Sequence, residues 1–423
     1  MMEEKLRQLY KEGRKDSDKR FKNMHKFLDI LDEENIYPEI RLIDSAPTEP
    51  EVMVDGKKTI MFSSNNYLGL AADPEVIKVT MEKAREYGIG PGTSRLLSGN
   101  VRLYDELEAE FANLVGKEAA IFFSTGYMTN EGMFTVLMDP FTSEFPLPYA
   151  KNSGVIISDK DNHASIISGV RLSSAERKIF KHNDMVDLEK ILRSLPAKKR
   201  KLIVTEGSFS LEGVLCPLPE IVDLAKKYDA ITLIDDAHGI GILGKRGGGT
   251  AEHFGLQKDV DIIMGSCSKA LGGMGGFVAG EKRLIDYFRI AMRAYMYSSP
   301  VSVCVAAGLK KAVEITKTAA DRRKKLLDNY DYLYKKLTAL GFTIWGDQTV
   351  PSLPLILGNE AIAVKLNKAL FKEGIYVESF RWPAVPLGTA RIRIVPMSTH
   401  KKEHLDKLVK GLGKIGKEMK LIK

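Results

Sequence analysis

Only three cysteines, Cys216, Cys267 and Cys304, occur in 423 residues, and no two stand at a disulfide-like or metal-like spacing. A disulfide framework and a thiolate metal centre are set aside, and a reducing, cytoplasmic setting without a metal is expected. Cys267 lies two residues before Lys269, where a lone thiol more often packs than reacts. No apolar run approaches the ~20 residues that span a bilayer. The charged opening stretch EEKLRQLYKEGRKDSDKRFKN lacks the apolar segment of a signal peptide. There is no repeat of fixed period and no low-complexity tract, which excludes solenoids and arrays. The formal charge is +8, yet the lysines are scattered and form no dense basic block. That pattern disfavours nucleic acid as a partner. A basic surface also suits an anionic small substrate.

What is present is an ordinary globular balance, 44% hydrophobic and 28% charged, long enough for one large domain and a smaller one. Residues 2–35 read as a charged amphipathic helix. EVMV and KTIMF flank Asp55-Gly56, a hairpin signal. From about 75 to 295, helical patterns alternate with the short apolar runs AAIFF, GVIIS, KLIVT, AITLID, DIIMGS and GFVAG. This alternation predicts a mostly parallel sheet covered by helices on both faces. In such sheets, ligand groups gather past the carboxyl ends of the strands. Long helices are expected over 299–340, followed by a second α/β unit. The resulting division is an N-terminal helix and hairpin over 1–60, a large domain over 61–310 and a small domain over 311–423.

Three strings carry chemistry. In DIIMGSCSKALGGMGGFVAG, Lys269 follows a buried strand in a Ser/Gly-rich loop. A desolvated lysine there stays partly neutral, as Schiff-base formation requires. In LIDDAHGIG, a strand ends in Asp235-Asp236 and is followed by His238. A carboxylate at that place can pair with a pyridine nitrogen, with the histidine in reach of the ring's phenolic oxygen. In FFSTGYMTN, a strand runs through Ser-Thr-Gly into a helix, whose free amides suit a phosphate. Taken singly, each has a bland alternative: a solvated loop lysine, an acidic helix cap, an ordinary strand-helix turn. Together and in this order they point to pyridoxal phosphate (PLP).

The chain resembles the α-oxoamine synthases, a branch of fold-type-I PLP enzymes, from about residue 58 to 410. The motifs are SNNYLGL, YGIGPGTSRLLSG, SDKDNHASIISGVRLS, TEGSFSLEG, IDDAHGIGILGKRGGG, GSCSKALGGMGG and RWPAVPLGTARIRI. The resemblance implies a large domain with a mostly parallel seven-stranded sheet between helices and a smaller C-terminal α/β domain. It implies Lys269 as the Schiff-base lysine, Asp235 on the pyridine nitrogen and His163 stacked on the ring. Ser210 and His238 would touch the phenolic oxygen. The amides of Gly126 and Tyr127, with Ser266, would hold the phosphate. Family members are homodimers with shared sites, so Ser298 and Ser299 would reach the partner's phosphate. Asn65, Arg381 and Arg393 match positions that handle the substrate carboxylate, with Arg393 ranked first.

The implied reaction condenses a small amino acid with an acyl thioester of coenzyme A or a carrier protein, with decarboxylation. Ser94-Arg95-Leu96-Leu97-Ser98-Gly99 is close to the 8-amino-7-oxononanoate synthase form. Residues 36–70 look similar to bacterial serine palmitoyltransferases, and ARIRIVPMSTH is similar to the glycine C-acetyltransferase ending. A PLP aminotransferase or lyase is the rival from a different class. The stretch 139–154, longer than the family's usual connection, is expected to be an ordered surface loop.

Overall fold

Apolar runs bounded by turn formers become seven strands in the computed structural model, which describes residues 5, 21–33, 40–138, 154–347 and 349–423. These are β1 (Ala119–Phe123), β2 (Val155–Asp159), β3 (Glu176–Phe180), β4 (Lys201–Glu206), β5 (Ala230–Asp235), β6 (Ile262–Ser266) and β7 (Gly276–Gly280). Their spatial order is β1-β7-β6-β5-β4-β2-β3. Only β7 runs antiparallel to its neighbours, and the remaining pairs are parallel. Six of the seven strands coincide with the apolar runs. The exception is β3, whose sequence ERKIF is largely exposed at the sheet edge. An edge strand solvated on one face needs no continuous apolar run, so its pattern is faint.

Strands β2, β4 and β6 are buried at every position because both faces are covered. Successive side chains point to opposite faces. Ile157, Ile203 and Ile263 enter one core with Leu107, Phe111 and Val222. Ile156, Leu202, Val204 and Met264 enter the other with Met133, Phe134 and Ile166. Phe111 and Phe277 stack at 4.3 Å between centroids.

A third core gathers Tyr330, Leu366, Ile392 and Leu412 with Ile60 and Phe62. Its sheet has the order Leu353–Gly358, Ala390–Ile394, Glu378–Phe380. Helices Ala320–Ala339, Glu360–Lys372 and Lys402–Glu418 contribute to that core. The helical stretch expected over 299–340 is two helices, Val303–Thr318 and Ala320–Ala339, separated at Ala319. The hairpin forms as read: Asp55 and Gly56 take φ of 48° and 71°, the left-handed pair that a two-residue turn needs. Its second strand, Lys57–Met61, then pairs in parallel with Ile375–Tyr376. Of the N-terminal helix, Lys5 and Lys22–Glu33 are described and helical, and Phe21 is a turn residue. The remainder of that reading, and all of 139–154 except Gly154, fall outside the described residues.

Candidate active site

The site assembles at the carboxyl ends of β4, β5 and β6. Asp235 is the last residue of β5, in register with Glu206 of β4 and Met264 of β6. Lys269 follows β6 by three residues, in a turn braced by the Gly272 amide on the Lys269 carbonyl. The Asp235-Asp236 pair divides its work because neighbouring strand residues face opposite ways. Asp235 accepts from Asn130 Nδ2 at 2.7 Å and from the Ala237 amide at 3.1 Å. Asp236 turns away to bind the Thr250 amide and hydroxyl, each at 2.6 Å.

Burial brings the Lys269 amine down to about 8, helped by the charge of Arg393 and opposed by Asp235 and Glu206. Burial raises the Asp235 carboxyl, while Asn130, the Ala237 amide and the charges of His163 and Lys269 pull it back. His238 is held well below the ordinary imidazole range by burial, then by Lys269, Arg393 and His163. It is therefore neutral, and its Nδ1 shares a 2.8 Å hydrogen bond with the Tyr67 hydroxyl. Burial pushes that hydroxyl to about 12. Glu206, buried among Asp235, Glu212 and Asp159, is raised well above the carboxylate range. These mutual influences tie residues 206, 235, 238, 269 and 393 into one largely buried cluster, with His163 at its solvent-facing side.

His163 caps the helix Ala164–Leu172. The structural and functional alternatives for this histidine coexist: Nδ1 takes the Ser165 amide at 3.3 Å, and the exposed ring still feels Asp235 and Lys269. Arg393, on the strand Ala390–Ile394, donates to Ser210 Oγ at 3.2 Å and lies over Phe380. Arg381 instead donates to Ser379 Oγ at 3.3 Å, in a neighbouring groove of about 490 Å³ shared with Phe27, Leu31 and Trp382. Glu378 acts electrostatically on both arginines. Asn65 Oδ1 accepts from Tyr67 at 3.4 Å. Ser298 and Ser299 line a crevice with Ser124 of their own chain, and the Ser299 carbonyl accepts from Ser124 Oγ at 2.8 Å.

The residues fit PLP. Gly126 and Tyr127 open the helix Gly126–Met138. Thr125 already satisfies the amides of Met128 and Thr129, so the first two amides remain at the helix end, where an anion is favoured. The turn leaves no room for side chains. A Cβ at Gly126 would lie 3.0 Å from Met264 Cε and 3.4 Å from Ser266 Oγ, and one at Gly276 would lie 2.5 Å from Gly126 Cα. Arg393 Nε is buried without a hydrogen-bond partner among the described residues, a cation in want of an anion. No group of three or more His, Cys, Asp or Glu is arranged to hold a metal among the described residues.

Four participants were not read from the sequence: Tyr67, Asn130, Ser165 and Glu206. Each lies inside a motif, but its role depends on a partner 35 to 171 positions away, or on a register pair across strands. The one local signal was Asn130, a full helical turn after Gly126 and hence on its face.

A seven-stranded sheet with one antiparallel strand, a lysine past β6 and a carboxylate ending β5 define a fold-type-I PLP enzyme. The family profile for Aminotransferase class I and II matches residues 57–412. An 8-amino-7-oxononanoate synthase from Thermosipho melanesiensis is 40% identical over 397 residues, 94% of this chain and 98% of its own. A serine palmitoyltransferase structure from Sphingomonas wittichii superposes with a TM-score of 0.89 at 32% identity, covering 96% of this chain and 100% of that one. A second, from S. paucimobilis with bound PLP, gives 0.88 at 30%, covering 95% and 99%. The chain belongs to the class I and II aminotransferase family and, within it, to the PLP-dependent α-oxoamine synthases.

Cofactor capture should depend on pH through Lys269. The reacting amine is neutral, so protonation below about 8 removes it. Mixing cofactor-free chain with PLP should give a visible band whose rate of growth rises up to about pH 8 and then levels. At pH 6 it should be about a hundredfold slower than at the plateau. Stopped-flow absorbance checks this, and a profile centred at the ordinary lysine value of 10.5 would contradict it.

Proposed function

We propose that this enzyme joins a small amino acid to an acyl thioester, with loss of carbon dioxide, the reaction that its resemblance to the α-oxoamine synthases implies. The supporting observation is a partly neutral lysine that feels both a buried carboxylate and an arginine with an unpartnered nitrogen. When bound, PLP supplies an electron sink for charge developing on the substrate's α-carbon. Lys269 would hold the cofactor, and its Nζ would take the α-proton. Asp235 keeps the ring nitrogen protonated. His163 covers the ring face and offers a polar edge to the incoming carbonyl. Ser210 and His238 orient the phenolic oxygen, and Ser266 with the Gly126 and Tyr127 amides hold the phosphate. Arg393 takes the substrate carboxylate through its planar fork, with Asn65 and Arg381 beside it.

The active species is proposed to be a cytoplasmic homodimer, with Ser298 and Ser299 serving the partner's phosphate. The described residues hold no helix long and apolar enough to cross a membrane. The proposed division is an N-terminal segment to residue 60, a cofactor domain over 61–310 and a small domain over 311–423. A separate apolar core supports the last. The likeness to serine palmitoyltransferase structures favours a long acyl chain as the second reading.

The test is an amino-acid screen for changes in the cofactor's visible spectrum, repeated with thioesters from acetyl to palmitoyl while thiol release is measured. Thiol release that requires both substrates supports condensation. Conversion of the cofactor to its amine form by amino acid alone would instead identify an aminotransferase. Arg393→Ala should raise KM for the amino acid by about 2 kcal/mol or more, roughly thirtyfold, as expected for removing one member of a desolvated charge pair. Arg381→Ala should cost several-fold less, because its guanidinium lies in the adjoining groove. Equal losses in KM would reverse that ranking.

A further inference from the structure

We propose that Asn130 and Ser165 form a positioning relay between Asp235 and His163, which fixes the imidazole as the Nε2–H tautomer. This deepens the reading above and rests on it. The hydrogen bonds run in one direction. The single amide group of Asn130 donates one proton to Asp235 Oδ2 at 2.7 Å and the other to Ser165 Oγ at 2.9 Å. The Ser165 hydroxyl, having accepted there, has its own proton left for His163 Nδ1 at 2.8 Å. The Ser165 backbone amide points at the same nitrogen from 3.3 Å. With two donors aimed at it, Nδ1 carries no proton, so a neutral imidazole must carry its proton on Nε2.

The orientation of the Asn130 amide has an independent signature. Its Oδ1 is buried without a partner among the described residues. A buried carbonyl left unpaired costs free energy, and the opposite orientation would instead set that oxygen against the Asp235 carboxylate. The charge-assisted bond therefore decides which way the amide faces, and Ser165 receives the remaining proton. Asp235 and His163, on two different elements, are thereby locked by one side chain. Asn130 and Ser165 bond each other and these two side chains, so both act through His163 and Asp235.

The test uses the PLP-loaded enzyme, 15N-labelled at histidine, with Ser165→Ala, Asn130→Ala and the double variant. The His163 nitrogens are identified by their loss in His163→Asn. In the unaltered enzyme, Nδ1 should read as unprotonated and Nε2 as protonated. In Ser165→Ala the Nδ1–H form should become populated, with kcat down about 10²-fold, the size of loss expected from a misplaced catalytic contact. KM for the amino acid and cofactor retention should stay unchanged. Asn130→Ala should do the same, and the double variant should be no worse than the worse single. An unchanged tautomer in Ser165→Ala, or additive losses in the double variant, would overturn the relay. Should Asn130→Ala fail to fold, the Ser165→Ala tautomer alone decides. Absence of a Lys269-dependent visible band in the unaltered enzyme would sink the underlying reading and is a distinct outcome.

Discussion

Replacing Lys269 by alanine should abolish the visible absorption of the bound cofactor and lower turnover by about 10³-fold or more, since one side chain serves as both covalent anchor and proton acceptor. Absorption spectra of the purified variant after PLP incubation, with thiol release as the activity measure, are sufficient. The expectation is sharp because no neighbour can substitute. Lys269 is the cluster's only lysine, brought to about 8 by burial. His163 and His238 lack a primary amine altogether. The fold should survive: the lysine is only partly buried, and the turn around it is held by backbone bonds from Cys267 to Gly275 and from Gly273 to Cys267. A variant that keeps both its visible band and its turnover would remove the basis for every role assigned here.

Asp235→Asn is expected to have the next largest effect, a fall in kcat of about 10²–10³-fold, the scale of losing one preorganised electrostatic partner. The carboxylate is almost fully buried, so its interaction with a protonated ring nitrogen is little screened. An amide at that position fills the same volume but cannot keep the proton in place. Cofactor retention should suffer less than turnover, because Lys269 and the Gly126 helix end remain. Steady-state kinetics alongside spectrophotometric PLP content separates the two. If kcat and PLP content fall in parallel, Asp235 merely holds the cofactor.

Much of this was legible in the sequence because the central strands are covered on both faces, which makes Val155–Asp159 and Ile262–Ser266 unmistakable apolar runs. The chemistry was legible for a related reason. Residues at strand ends inherit their address from the strand, so Asp235 and Lys269 could be placed without coordinates. Glu176–Phe180 was missed since an edge strand shows charge on its open side. Tyr67 and Glu206 were missed because nothing adjacent to them in the chain marks them, and Asn130 had only its helical spacing from Gly126. Each gains its meaning from a contact made by the folded sheet. The order of Arg393 over Arg381 came from resemblance. Geometry then supplied a physical ground: Arg393 bonds Ser210 and acts on Lys269.

The hairpin around Asp55-Gly56 has a consequence for how the molecule comes into being. Strand Lys57–Met61 finds its parallel neighbour only at Ile375–Tyr376. At about 5–20 residues per second, a ribosome needs roughly 15 to 60 s to bridge that interval. During that time an apolar edge ending in Ile60 and Met61 waits beside the nascent large domain, with Lys57 and Lys58 at its outer end. Those two cations are well placed to repel other nascent strands during that interval, before Lys58 settles against Glu51 and Lys57 against the Lys372 carbonyl in the finished protein.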